Sequence, residues 1–151
     1  QYITPALCIM FIGRHYHQLE AKGRLAIPQN FRRALKSGGV ITWGLDGCLF
    51  LFPASYWQEL SGKLAKLPLT NPSARQFTRL LVQSATELNL DKQGRTLIPE
   101  HLRIQAKLKK QVVVAGALTR AEIWDKDHYH KHLEKITRQV PVDQELANLG
   151  I

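Results

Sequence analysis

The stretch Glu20-Ala21-Lys22-Gly23-Arg24-Leu25-Ala26-Ile27-Pro28 recurs 71 residues later as Asp91-Lys92-Gln93-Gly94-Arg95-Thr96-Leu97-Ile98-Pro99. Both copies read acid, two residues, Gly, Arg, two residues, Ile, Pro. Each then runs into a basic amphipathic segment, Phe31-Arg32-Arg33-Ala34-Leu35 after the first and Leu102-Arg103-Ile104-Gln105-Ala106 after the second. Self-similarity at a fixed period is settled before any other reading, because it decides the whole fold. Within each copy, Gly23 or Gly94 offers the positive φ that a tight turn needs. Pro28 or Pro99 ends the extended run and opens a helix, where its missing N–H has no helical partner to lose. The acids Glu20 and Asp91 are placed to hold the turn by accepting backbone N–H bonds.

Working outward, Phe11 to Leu19 alternates closely enough for a strand. Gln29 to Leu35 reads as a short helix stopped by Ser37-Gly38-Gly39. Val40 to Trp43 and Cys48 to Phe52 form a hairpin around Gly44-Leu45-Asp46-Gly47. A helix from Pro53 carries Tyr56, Trp57, Leu60, Leu64 and Leu67 before Pro68 closes it, and Asn71-Pro72 opens a further helix with Phe77, Leu80 and Leu81 inward. The order then restarts. Ser84 to Leu90 is strand-like, Asp91 to Gly94 turns, Pro99 starts a helix that ends at Lys109-Lys110, and Val112 to Gly116 with Ala121 to Trp124 repeats the hairpin. Asp125 caps a helix in which Tyr129, Leu133 and Ile136 align with Trp57, Ser61 and Leu64 at a spacing of 72, so one residue is inserted between motif and helix.

This order predicts an α+β protein, mainly β in its core with short helices, built from two tandem β-turn-β-helix-β-turn-β-helix halves. The expected boundaries are 10–69 for the first half, 70–83 for a linker helix, 84–137 for the second half and 138–151 for a polar tail. Met10 is the one methionine, and residues 1–9 are expected to form an extension outside the fold.

Charge narrows the function. The chain carries 21 Lys+Arg against 12 Asp+Glu, a formal +9, and residues 14–36 hold Arg14, Lys22, Arg24, Arg32, Arg33 and Lys36 against Glu20 alone. Such a cluster around a motif is a polyanion footprint more than a scattered solubilising surface. Cys8 and Cys48 have neither CxxC spacing nor a disulfide framework, the pattern of a reduced, cytosolic protein. No apolar run reaches the ~18 residues of a membrane span.

Lys22 and Arg24, and Lys92 and Arg95, lie beside rigid turns. A guanidinium fork grips phosphate oxygens or the guanine edge, and a two-stranded ribbon fits the major groove of double-stranded DNA. Arg32, Arg33 and Arg103, just inside helices, are placed for phosphate contacts, with Arg14 in the same basic cluster. The rival readings are weaker. His128-x-His130-x-His132 puts only the outer pair on one helix face, His15 and His17 share one strand face, and no catalytic triad or phosphate loop stands out. No metal, cofactor or small-molecule substrate is expected, and the protein reads as a non-enzyme. An antitoxin-like module is the second rival. Such a module carries one half and a long partner-wrapping tail, whereas here the second half is complete.

The doubled acid-x-x-Gly-Arg-x-x-Ile-Pro motif, with Met10-Phe11-x-Gly13 ahead of it, resembles the MraZ family, whose halves are of the AbrB-type swapped-hairpin kind. The resemblance covers residues 10 to about 140. It implies an intertwined, pseudo-twofold barrel and ring-like homo-oligomers, octamers or dodecamers. It also implies a nucleoid-associated regulator that binds short direct repeats in the promoter of the division and cell-wall gene cluster. Where that family's motif has Asp, the first copy here has Glu20, which keeps the charge on a longer arm than an Asx-type turn bond uses. Asp91 to Arg95 matches fully.

Overall fold

The computed structural model describes residues 10–151. The expected extension 1–9, with Cys8, lies outside the described residues. The first half runs β1 (Arg14–Gln18), β2 (Arg24–Ala26), α1 (Gln29–Arg32), β3 (Gly39–Trp43), β4 (Leu49–Pro53) and α2 (Ala54–Ala65). After the linker helix α3 (Pro72–Gln83) come β5 (Thr86–Glu87), β6 (Arg95–Leu97), α4 (Glu100–Gln105), β7 (Gln111–Gly116), β8 (Ala121–Asp125), α5 (Lys126–Gln139) and α6 (Val142–Asn148).

A six-stranded antiparallel sheet has the order β1-β7-β8-β4-β3-β5, and β2 pairs with β6 in a separate ribbon. That order is palindromic between the halves. Each half keeps its own hairpin (β3 with β4, β7 with β8) and lends its first strand to the other's: β1 pairs with β7, Arg14 opposite Ala115, and β5 pairs with β3, Glu87 opposite Val40. The swapped hairpin is therefore present. One pseudo-twofold axis passes between Leu25 and Thr96 in the ribbon and between Phe50 and Glu122 in the sheet.

The ribbon closes over the inner face of the sheet. Leu25, Ile27, Phe31 and Leu35 of the first half are buried with their equivalents Thr96, Ile98, Leu102 and Ala106, against Ile41, Leu49, Leu51, Val112, Val114 and Ile123 of the sheet. Fully burying each large apolar side chain contributes about 1.5–3 kcal/mol, so this shared core outweighs the exposed ion pairs as the tie between halves. On the sheet's outer face α5 lays Tyr129 over Val113, Ala115 and Trp124, and α2 stacks Tyr56 and Trp57 on Phe52 at 5.4 and 6.0 Å. Asn71 caps α3 by accepting from the Ala74 N–H, and the Thr42 hydroxyl donates to the Leu81 carbonyl, tying the helix to β3.

The structure refines three expectations. Helix α1 stops at Arg32, and the chain tightens through Leu35 by i→i+3 bonds such as Leu35 N–H to the Arg32 carbonyl at 3.1 Å. The strand expected over 84–90 shrinks to Thr86–Glu87, because Ser84 is still engaged by the end of α3, its hydroxyl donating to the Leu80 carbonyl. The single inserted residue is a net count: Gly39 aligns with Val112 at an offset of 73 and Pro53 with Asp125 at 72. Two residues enter ahead of the hairpin and one leaves its turn. Asp125 caps α5 as expected, accepting from the His128 N–H at 3.3 Å. The tail contains a formed helix, α6, with no buried residue.

Candidate functional site

The ribbon is short and held at both ends. Beyond the paired strands, the Ile27 N–H donates to the Gly94 carbonyl at 3.0 Å and the Ile98 N–H to that of Gly23 at 2.8 Å. Strand alternation sends Leu25 and Thr96 into the core and puts Arg24, Ala26, Arg95 and Leu97 on the outer face. The flanking turns add exposed Lys22 and Lys92. Four of the basic residues singled out in the sequence thus meet on one surface that straddles the pseudo-twofold.

The acids tie this surface together. One Asp91 oxygen, Oδ1, accepts from the Gln93 and Arg95 N–H groups at 2.8 and 2.9 Å. The other, Oδ2, accepts from Arg95 Nε at 3.0 Å and lies 3.6 Å from Arg24 Nη1. The Arg95 N–H above all, aided by that of Gln93 and by the Arg95 guanidinium, holds the Asp91 carboxyl below its ordinary value; the bond to Asp91 in turn raises Arg95. Glu20 behaves differently. It makes no side-chain bond to its own turn, and it reaches across the axis to Arg95 Nη1 at 2.7 Å. In its turn Lys22 adopts φ +69 as well as Gly23 at +87, whereas the second turn needs positive φ only at Gly94. A non-glycine residue held there costs on the order of 1–3 kcal/mol, so the longer acid leaves the first turn less well held.

The two helix arginines have a second use. Arg32 Nε donates to the Ile27 carbonyl at 2.8 Å and Arg103 Nε to the Ile98 carbonyl at 2.9 Å, equivalent bonds in the two halves. Each guanidinium lies over the glycine of the opposite turn. A Cβ on Gly23 would stand 2.7 Å from Arg103 Nε, and one on Gly94 would overlap the Arg32 guanidinium. The glycines therefore answer to close approach as well as to φ, a demand between halves that the local motif does not display. Arg14 stands apart, on the outer face of β1 with its guanidinium 5.5 Å from the Tyr129 ring centre, and Arg33 is exposed just past α1. Sequence reading overlooked Leu97, half exposed at the centre of the ribbon, because an apolar residue between Thr96 and Ile98 reads as core. Its period-2 relation to Arg95 was the available signal.

The histidines go to aromatic contacts. His128 and His132 flank Trp124, His130 stacks on Tyr16 with its Nε2 3.2 Å from the hydroxyl, and His15 meets the Phe31 ring edge-on. Among the described residues no three His, Cys, Asp or Glu side chains converge as metal ligands, and no helix is long and apolar enough to cross a membrane. Burial pushes the Cys48 thiol well above its ordinary range, away from the thiolate that nucleophilic chemistry needs.

A swapped-hairpin barrel of two fused halves, carrying a braced basic ribbon on its axis, defines the class. Two consecutive matches to the family described as "MraZ protein, putative antitoxin-like" cover residues 10–80 and 81–149. A protein of Clostridium acetobutylicum named "Transcriptional regulator MraZ" is 42% identical over 94% of this chain and 100% of its own length. Proteins of the same name from Alkaliphilus metalliredigens and Moorella thermoacetica are 47% and 45% identical, over 82% and 86% of this chain and 86% and 91% of theirs. The chain belongs to the MraZ family.

Proposed function

We propose that this protein is a sequence-specific DNA-binding transcriptional regulator, acting at the nucleoid, that presents the β2–β6 ribbon to the major groove. The observation that carries the reading is the placement of Lys22, Arg24, Lys92 and Arg95 on one rigid, outward surface across the pseudo-twofold. The relatives' printed name supports it. Arg24 is the freer fork, its side chain 47% exposed with one carboxylate at 3.6 Å, and it takes the base or phosphate contact. Arg95, 29% exposed and bonded to Asp91 and Glu20, holds the surface in shape and gives DNA its remaining donor edge. Lys22 and Lys92 neutralise phosphates as point charges. Leu97 offers an apolar surface of the kind that meets a thymine methyl.

The targets are short direct repeats in the promoter of the division and cell-wall gene cluster, bound by a ring-like homo-oligomer. One ribbon binds weakly by itself. An array of ribbons converts weak contacts into avidity when the repeat spacing matches. The deciding experiment is a gel-shift series with the DNA upstream of the gene beside a version with scrambled repeats. Preferential retention of the intact repeats, weakening steeply with salt, is expected. Equal retention of both would overturn sequence-specific reading.

A further inference from the structure

Helix α6 is complete yet covers nothing. Gly150, at φ +84, ends it with a Schellman turn: the Ile151 N–H returns to the Leu146 carbonyl at 3.1 Å and the Gly150 N–H to that of Ala147 at 2.9 Å. Val142, Leu146 and Leu149, spaced i, i+4 and i+7, form one apolar face and are 57%, 42% and 75% exposed, with Ile151 beside them at 84%. A helix this short is marginal in water and gains its stability from a surface to lie on. Its own chain holds it in place instead. The Val140 N–H bonds back to the Ile136 carbonyl and the Val142 N–H to that of Val140, so the bend at Pro141 is fixed and α6 is set off the end of α5.

The same molecule carries an open groove of about 540 Å³ on the opposite half, on the sheet's outer face between the β3–β4 turn, α2 and α3. Trp43, Leu45, Phe50, Tyr56, Phe77 and Leu80 line it, and Leu45, Phe77 and Leu80 are 66%, 48% and 49% exposed. Charge matches as well. Helix α6 bears Asp143 and Glu145 and no base, α3 bears Arg75 and Arg79 and no acid, and Arg120 stands at the groove. We propose that the groove receives α6 of a second copy of this chain, Leu146 and Leu149 entering between Leu45 and Phe77 while the two acids face the α3 arginines. Tail and groove are different surfaces, so the contact is heterologous and each copy both gives and receives. Repeated contacts of that kind close into rings when the rotation permits. The inference rests on the self-association proposed above and names the surfaces that perform it.

Sedimentation velocity on the full-length chain tests it, with Leu146→Asp breaking the tail and Phe77→Asp breaking the groove. Both positions are substantially exposed, so the melting temperature of the monomer is expected to hold. Leu45→Asp, on the hairpin turn, serves as a second groove variant should Phe77→Asp melt early. Each variant alone is expected to lose the assembled species at concentrations where the unaltered chain is fully assembled. Mixed, the two are expected to form a one-to-one pair that grows no further, since only one tail and one groove remain intact. Undiminished assembly of Leu146→Asp, or a mixture that stays monomeric, would overturn the tail–groove contact while self-association stood. An unaltered chain that stays monomeric at every concentration would overturn self-association itself.

Discussion

In an Arg24→Ala variant the protein loses a guanidinium that is 47% exposed, with Asp91 Oδ2 3.6 Å away as its ionic neighbour. An exposed pair at that distance contributes little, so stability is expected to change by no more than about 0.5 kcal/mol, a melting shift of about 2 °C or less. DNA binding is expected to change far more. A lost bidentate base contact costs about 1–3 kcal/mol, roughly 5- to 150-fold per site, and the deficit multiplies across an array. The slope of log affinity against log salt is expected to shallow by about one for each phosphate contact removed. Arg95→Ala is the control. It removes the bond that reaches Glu20 across the axis and leaves Asp91 with its backbone donors alone, so it is expected to lower both binding and the melting temperature. Arg24→Lys separates charge from fork. It is expected to retain the salt slope while losing preference for intact over scrambled repeats. Fluorescence anisotropy at several salt concentrations beside thermal melts reads all three variants. If Arg24→Ala binds normally, or melts as early as Arg95→Ala, the division of labour between the two arginines is refuted.

Three further outcomes are expected. Glu20→Asp brings a short carboxylate within reach of its own turn, gaining N–H bonds like those of Asp91 at about 1 kcal/mol and giving up an exposed ion pair worth about 0–1 kcal/mol; thermal melts should show an unchanged or slightly higher midpoint, and a clear drop would contradict the account of the first turn. Gly94→Ala forces a side chain into φ +77 and into the Arg32 guanidinium, so a loss of at least 1–3 kcal/mol, read by denaturant titration, is expected from the φ alone; unchanged stability would show that Arg32 does not brace that turn. His17 has its pKa lowered by burial first, then by His15 and Arg32, so the unfolded chain binds its proton more readily than the folded one. Its stability is therefore present above the ordinary histidine value of 6.5 and is lost as pH falls through the folded value; His17→Gln should flatten the stability profile just below 6.5, and an identical profile would refute the assignment.

What the sequence disclosed followed the periodicity of its signals. The repeat is written in the residues themselves, and with it came the hairpins, the turn glycines, the Asp125 cap and the outward arginines. Three features escaped because their causes are not local. Gly94 is crossed by Arg32, more than sixty residues earlier, and that contact exists only once β2 has found β6. Leu97 is exposed because the ribbon has one covered face, and its apolar character alone pointed the other way. The tail read as polar because Asp143, Gln144 and Glu145 dominate its start, while Val142, Leu146 and Leu149 gather on one side only when the chain is helical.

The halves are related but no longer equal, and the inequality falls on the axis. Thr96 faces Leu25 across the ribbon, Lys22 and Gln93 occupy equivalent places in the two turns, and Asp91 holds its own turn while Glu20 leaves its own to reach Arg95. A reader made of two identical chains presents identical ribbons about its axis and favours a site with the same symmetry. Fusing the halves into one chain removes that requirement, and the two sides here have diverged at the residues that would touch bases. A reader with distinct sides takes a site with a direction. Several directional sites in a row are matched by copies facing the same way, which an isologous dimer cannot supply and a heterologous tail-to-groove contact can. The unequal turns and the unpartnered α6 thus lead to one expectation, a head-to-tail array on direct repeats. It follows that Glu20→Asp combined with Gln93→Lys, which makes the turns alike, should narrow the difference in affinity between a direct repeat and an inverted one. An undiminished difference would locate direction elsewhere in the chain.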